Sequence, residues 1–256
     1  MDKTIVRTEA VVLRAVDYGE TSQIVTFLTR THGKVAALAK GSRNVKSRFG
    51  STLQPMAYVD LVYYSRSTRS VQTLTEATHV RRLENLRRDL QKITIGLRCV
   101  ELANAMVIEG EIQPGIFDLL AESLGAIDAE HARPANVLPF FQLSLANELG
   151  FAPSFDRESV QDLPQARGTL NLTDGSIGPV SAGRDSRTAS RSALRAFAVF
   201  ARADLGTTLR MELKDEVSRE VQDLIESYFR YHVEAHYPVR AASVATQLLD
   251  GRRTGL

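Results

Sequence analysis

From Thr21 to Val59 the chain carries no acidic residue, yet it holds Arg30, Lys34, Lys40, Arg43, Lys46 and Arg48. An apolar, strand-like segment, Val-Ala-Ala-Leu-Ala at 35–39, sits in the middle of this run, and a Gly-Ser-Arg-Asn turn follows it. With no acid interleaved, the run is suited to display as a cationic face on a small barrel. The natural ligand of such a face is a polyanion.

The flanking residues supply the barrel. Residues 4–16, TIVRTEAVVLRAV, are β-branched and apolar with polar residues interspersed, and predict a first strand. Asp17-Tyr18-Gly19 is a turn signal, and residues 22–30, SQIVTFLTR, predict a second strand. Thr31-His32-Gly33 fits a short hairpin loop in which Gly33 can take positive φ, and Lys34–Lys40 return as a third strand. Pro55 blocks ladder pairing ahead of a fourth strand, AYVDLVYYS. The polar SRSTRS turn leads to a fifth strand, VQTLTEA. Five short strands with one long basic connection suggest an OB-fold barrel, which commonly binds single strands. An SH3-like barrel satisfies the same periodicity.

The remaining two thirds predict helices. Leu83, Leu86, Leu90, Ile93, Leu97 and Val100 recur at steps of three and four over 82–109. A second helix is expected over 115–128, a third up to Gly150, a fourth over Thr188–Asp204 and a fifth over 212–236, which Pro238 stops. Residues 151–187 lose periodicity and hold three prolines and four glycines, with TLNL as one short candidate strand. The expected class is therefore α+β in two parts: an OB-fold domain at 1–80, then an α-helical domain at 81–250 with an irregular insertion at 151–187.

Charge places the polyanion partner in the first part. The net charge of +2 conceals 11 Lys/Arg against 6 Asp/Glu in residues 1–80, and 21 against 24 in residues 81–256. No apolar run approaches the roughly 20 residues that span a bilayer, and the charged N-terminus lacks a secretory apolar stretch, so a cytoplasmic protein is expected. A single cysteine, Cys99, excludes an internal disulfide framework and a cysteine-based zinc site. His232 and His236 have metal-ligand spacing, but H-V-E-A-H lacks the glutamate after the first histidine and no third ligand stands out. Nucleophile-elbow, phosphate-loop and dinucleotide motifs are absent, and no enzyme is expected.

Several motifs carry a family resemblance. D-Y-G-E at 17–20, F-L-T at 27–29, G-K at 33–34, A-K-G at 39–41, K-S-R at 46–48 and L-Q-P at 53–55 resemble the N-terminal domain of the bacterial RecO recombination mediators. L-R-R-D-L at 86–90 and E-L-G-F-A-P at 148–153 extend the resemblance more faintly through the helical part. The resemblance implies binding of single- and double-stranded DNA and annealing of complementary strands. It also implies partnership with RecR and with the acidic C-terminal tail of single-stranded-DNA-binding protein, and indirectly the loading of RecA. It implies no catalytic residue and a place in the cytoplasm at the nucleoid. Arg14, Arg30, Lys34, Lys40, Arg43, Lys46 and Arg48 are the expected phosphate contacts, with Phe49 as a stacking residue. Arg191 and Arg195 are weaker candidates for the acidic tail, on charge and spacing alone. Many members of the family carry a four-cysteine zinc site after the stretch matching Gly150–Pro153; its first pair would fall near Glu158 and Gln161, and no cysteine stands in 151–187. No cofactor is therefore expected. The rival reading is a non-enzymatic adaptor whose barrel is only a scaffold and whose helices dock a protein.

Overall fold

The computed structural model describes residues 4–129, 133–156, 160, 163, 166–181 and 183–233. They fall into two compact units, one within Met1–Glu130 and one within His131–Tyr237. The division expected at residue 80 marks where strands give way to helices. Packing sets the divide later, because the first two helices pack in the same unit as the barrel.

In the first unit, β1 (Thr4–Tyr18), β2 (Ser22–Thr29), β3 (Gly33–Ala39), β4 (Tyr58–Ser65) and β5 (Val71–Arg81) close a barrel in the order β1-β2-β3-β5-β4. β1 serves two neighbours. Thr4–Val11 pair with β4 and Ala10–Tyr18 pair with β2, and the register shifts between Val12 and Arg14, a bulge that lets the strand bend from one to the other. β3 and β5 pair in parallel through Ala36, Ala37 and Leu38, and this seam gives the barrel its OB-like order. β1 runs past the expected turn: Asp17 and Tyr18 still pair with Gln23 and Ser22, and the reversal is made by Gly19 at φ 63°.

Alternation sorts the strand residues. Ala10, Val12, Val25, Phe27, Ala37, Ala39, Val59, Leu61, Tyr63, Leu74 and Ala77 fill the interior. Phe49, Leu53 and Ala57, from the connection between β3 and β4, join the same cluster. Phe49, expected as an exposed stacking residue, is 3% exposed. A short 3-10 turn, Gly50–Leu53, follows it, and the Thr52 hydroxyl donates to the Phe49 carbonyl at 2.6 Å. Lys46 and Arg48, just before Phe49, stay in water while its ring does not, because an apolar ring gains more by burial in the barrel core than by exposure.

Two helices complete the unit, α1 (Leu90–Met106) and α2 (Pro114–Asp128). Asp89 caps α1, its carboxylate accepting from the Lys92 amide at 3.0 Å, and Pro114 opens α2 where no intrahelical amide is needed. The expected stripe holds in part: Leu83, Leu86 and Val100 are buried, but Leu90 and Leu97 are exposed, and Ile95, Cys99, Leu102, Ala103 and Met106 are buried as well. Gly96 explains the choice: a Cβ there would lie 2.7 Å from Met56 Sδ and 3.4 Å from Leu124 Cδ2, so the small-residue side is where close packing occurs. Burial holds the Cys99 thiol well above its ordinary pKa, which makes it an inert core residue.

The second unit contains α3 (Val137–Glu148), a three-stranded antiparallel sheet ordered β7 (Ile177–Gly178), β6 (Arg167–Asn171), β8 (Ser186–Ser190), and α4 (Arg191–Arg202), α5 (Leu205–Leu209) and α6 (Asp215–Val233). The segment expected to be irregular thus contains this small sheet. Glu158 and Gln161, where the zinc ligands of relatives would align, lie outside the described residues, as does His236. The fourth helix was expected from Thr188, but residues 186–190 form a strand paired with β6 and the helix starts at Arg191. Ser190 is its cap, the hydroxyl oxygen accepting from the Ala193 amide at 3.2 Å, and Glu220 of α6 bonds the same serine. α6 buries Val221, Leu224, Ile225, Tyr228 and Phe229, and the Tyr228 hydroxyl donates to the Phe151 carbonyl at 2.8 Å.

Phe49→Ala should remove the plug of the barrel and cost about 3–5 kcal/mol, the range for emptying a buried aromatic site. Urea unfolding measures it; a change within about 0.5 kcal/mol, typical of surface sites, would show that the ring does not hold the barrel closed.

Candidate nucleic-acid interface

The cations of the basic run divide into two groups. Arg30, at the end of β2, is committed to structure. Its guanidinium donates to Glu9 Oε2 at 2.9 Å and to Asp118 Oδ1 of α2 at 2.6 Å, and its Cζ lies 5.5 Å from the centre of the Phe117 ring. Asp118 foremost raises the Arg30 pKa further, against partial desolvation. The Tyr58 hydroxyl donates to the same Glu9 at 2.7 Å, and burial, followed by that carboxylate, pushes it up to about 12. Lys34 is half-buried, and its Nζ donates to the Asn104 carbonyl at 3.0 Å, in the last turn of α1 where a cation complements the helix dipole. Gly33 beside it sits at φ 63°, and a Cβ would lie 2.1 Å from the Glu111 carbonyl oxygen, so only glycine allows this approach. Arg43 pins the β3–β4 connection to the β1–β2 turn. Its backbone amide donates to the Thr21 carbonyl at 2.9 Å, its side chain to the carbonyls of Gly19 and Glu20, and it pairs with Asp17 at 3.3 Å.

Arg14, Lys40, Lys46 and Arg48 form the second group. All four are exposed, and none is in an ion pair among the described residues. The β-sheet register places them. Arg14 pairs with Thr26, and Thr26 with Ala36, so these three share the outer face of β1–β2–β3. Lys40 directly follows β3, at the barrel end where β1 turns into β2. Lys46 and Arg48 lie on the connection that leaves this end, and the Arg48 guanidinium carbon is 5.1 Å from the centre of the buried Phe49 ring.

Two arginines outside the acid-free window extend the cationic surface. Arg66 and Arg69 flank the β4–β5 turn, where Gln72 braces the backbone by accepting from the Arg66 amide at 2.8 Å and donating to the Arg69 carbonyl at 2.7 Å. A search for acid-free runs passes over them because Asp60 intervenes; the Ser-Arg-Ser-Thr-Arg-Ser turn is itself their signal. Tyr18, 56% exposed at the end of β1, was likewise passed over as a turn residue.

Arginines recur at 184, 187, 191 and 195 at the three- and four-residue steps of a helix, but they do not form one helical face. Arg184 lies in a turn and Arg187 in β8, and only Arg191 and Arg195 belong to α4. Arg195 and Arg202, one helical stretch apart on α4, line a cavity of about 750 Å3 with Phe155, Val160, Val199 and Thr207, and Arg191 does not reach it. The Arg202 guanidinium lies 4.5 Å above the Phe155 ring and donates to the Phe155 carbonyl.

Among the described residues no group of three His, Cys, Asp or Glu could hold a metal ion, and no helix is long and apolar enough to cross a membrane.

Residues 1–82 match the family model described as recombination protein O N terminal, and residues 87–241 match the model described as recombination protein O C terminal. The chain is 46% identical over 253 residues to the DNA repair protein RecO of Salinibacter ruber, covering 98% of this chain and 97% of that protein. It is 30% identical over 255 residues to RecO of Chloroherpeton thalassium, covering 95% and 98%. RecO of Desulfatibacillum aliphaticivorans is 30% identical over 245 residues, covering 89% and 92%.

Arg30→Ala should lower the urea midpoint, since it removes the ion pairs that tie β2 to Glu9 of β1 and Asp118 of α2, whereas Lys40→Ala should leave it in place. Equal midpoints for the two variants would show that Arg30 is not a brace.

Proposed function

Since the chain belongs to the RecO family of non-catalytic DNA repair and recombination proteins, we propose that its barrel binds single- and double-stranded DNA through Arg14, Lys40, Lys46 and Arg48. The observation that carries this reading is that these four cations, on the outer face of β1, at the end of β3 and on the β3–β4 connection of a closed barrel, are exposed and lack carboxylate partners among the described residues. Each phosphate they neutralise releases condensed counterions, which gives affinity without sequence preference and a dependence on salt. Arg66 and Arg69 extend the surface toward the other barrel end. Arg30, Lys34 and Arg43 act as braces that hold it in shape.

The same electrostatics supports annealing. Two strands held against one cationic surface repel each other less than they do in solution, so complementary segments meet more often. In this reading the protein acts with RecR and helps to load RecA onto DNA coated by single-stranded-DNA-binding protein. The acidic tail of that coating protein has a candidate dock in the second unit. Arg195 and Arg202 supply charge at the cavity, and Phe155, Val160 and Val199 supply apolar wall, a combination suited to an acidic peptide with an apolar end.

Replacing Arg14, Lys40, Lys46 and Arg48 together with alanine should weaken DNA binding and lower the slope of log K against log salt. The drop should be up to about 0.7 per lost contact on single strands and about 0.9 on duplex. Anisotropy titrations at several salt concentrations read it, with Arg30→Ala as the control that keeps its slope. An unchanged slope in the folded quadruple variant would remove the phosphate assignment and favour an adaptor whose barrel is a scaffold.

For the second site, Arg195→Glu should weaken binding of an acidic tail peptide by about tenfold, corresponding to about 1.4 kcal/mol, without changing DNA binding. Unaltered peptide affinity would end the assignment of this cavity.

A further inference from the structure

The outer face of β1–β2–β3 holds an apolar row that the phosphate reading leaves unused. Val16 pairs with Ile24, Ile24 with Leu38 and Leu38 with Thr73, so these residues stand side by side across four strands on one face. Val16 is 43% exposed, and Ile24 and Leu38 are half-exposed. The same outer face is handled differently one step along the barrel. Val11 and Leu28, also a cross-strand pair, do not belong to the barrel interior and are nonetheless fully buried. The apolar outer face is thus covered at one end and open at the other.

The open end has a charged frame. Arg14 stands in the row on one side, and Tyr18 and Lys40 at the other. Arg14 and Tyr18 are four positions apart on β1, about 13 Å at 3.3 Å per residue. Tyr18 is presented by a braced turn, because Arg43 holds the carbonyls of Gly19 and Glu20 and the backbone at Thr21. Cations flanking an apolar strip with an exposed aromatic at its edge match a polymer that is anionic along its backbone and flat and apolar on its side groups. Single-stranded nucleic acid has that chemistry. A duplex buries its base faces in stacking and can offer this surface only phosphates. A purely apolar partner would leave Arg14 and Lys40 without a role.

We propose that Val16, Ile24, Leu38 and Tyr18 form a base-binding strip that makes the barrel prefer single strands, with Tyr18 as the stacking residue. This rests on the phosphate reading above and adds the discrimination that phosphates cannot supply. Lys46 and Arg48, on the connection and not among the strip residues, contact phosphates alone in this reading and so serve both forms of DNA equally. A strand seated on the strip has its bases turned toward the protein, whereas a strand held only by the connection leaves them free to pair.

The experiment compares three labelled probes with the full chain by fluorescence anisotropy: an oligothymidine, an abasic strand of the same length and charge, and a duplex. The wild type should bind oligothymidine more tightly than the abasic strand. Tyr18→Ala should reduce oligothymidine affinity about fivefold to hundredfold, the effect of losing one stacked base, and leave the abasic and duplex affinities and all salt slopes unchanged. Tyr18→Phe should restore the difference, since the ring and not the hydroxyl does the stacking. Equal wild-type affinity for the oligothymidine and abasic strands would overturn the strip while leaving the phosphate reading standing. A loss with Tyr18→Ala that is as large on duplex as on oligothymidine would do the same. Failure of the wild type to bind any of the three probes would overturn both readings.

Discussion

Closure of the barrel is the constraint from which the rest of the first unit follows. The seam has two parts, the long antiparallel pairing of β1 with β4 and the short parallel pairing of β3 with β5 at Ala36–Leu38. Once both are made, every strand residue lies either inside or outside, and a small interior accepts only apolar side chains. Val12, Phe27, Leu61 and Tyr63 fill it, and Phe49 from the connection closes it. A charged residue then has nowhere to go but the outer surface or the joints with the helices. The basic run is displayed because the barrel has no other place for it.

Within that limit, partners decide what each cation does. A guanidinium whose charge is already matched by carboxylates at 2.9 and 2.6 Å, as at Arg30, has less attraction left for a phosphate. One of those carboxylates, Asp118, comes from a helix 88 residues away in sequence. Lys34 is claimed by a carbonyl of α1, 70 residues away. The acid-free character of residues 21–59 is a property of the local chain, and α1 and α2 bring in partners that the window does not contain. Arg14, Lys40, Lys46 and Arg48 are exposed and take no ion-pair partner from those helices among the described residues, so they keep their charge for solvent or a ligand. The outer face is also divided: it is covered at Val11 and Leu28 and open at Val16, Ile24 and Leu38, so the exposed Arg14 and an apolar strip stand in neighbouring rows.

The second unit shows how local spacing can mislead. Arginines at 184, 187, 191 and 195 fit a helical period, but the backbone changes from strand to helix at Ser190, where the hydroxyl cap and Glu220 fix the boundary. The pairing of β8 with β6 is what draws residues 186–190 out of the helix. It leaves Arg195 to combine with Arg202, which was not in the series, at the cavity beside Phe155. In α1, similarly, the stripe of correct period keeps Val100 in the core but leaves Leu90 and Leu97 exposed, because the close approach of Met56 and Leu124 to Gly96 depends on the absence of a Cβ.

By itself the sequence determined the strands, since alternation and turn chemistry over residues 4–81 are local properties of the chain. It also determined that the first third is cationic and that a single cysteine cannot build a four-cysteine site. The strand order, and with it the choice of an OB-like barrel over an SH3-like one, was decided only by the tertiary structure, because periodicity says which residues face inward and nothing about which strands meet. The same holds for the candidate site. Charge identified six cations of the barrel as a group, and the family resemblance added Arg14. Three of them became braces and four remained displayed because the partners that distinguish them, Asp118, Asn104 and the turn carbonyls of Gly19 and Glu20, are brought alongside only when the chain folds.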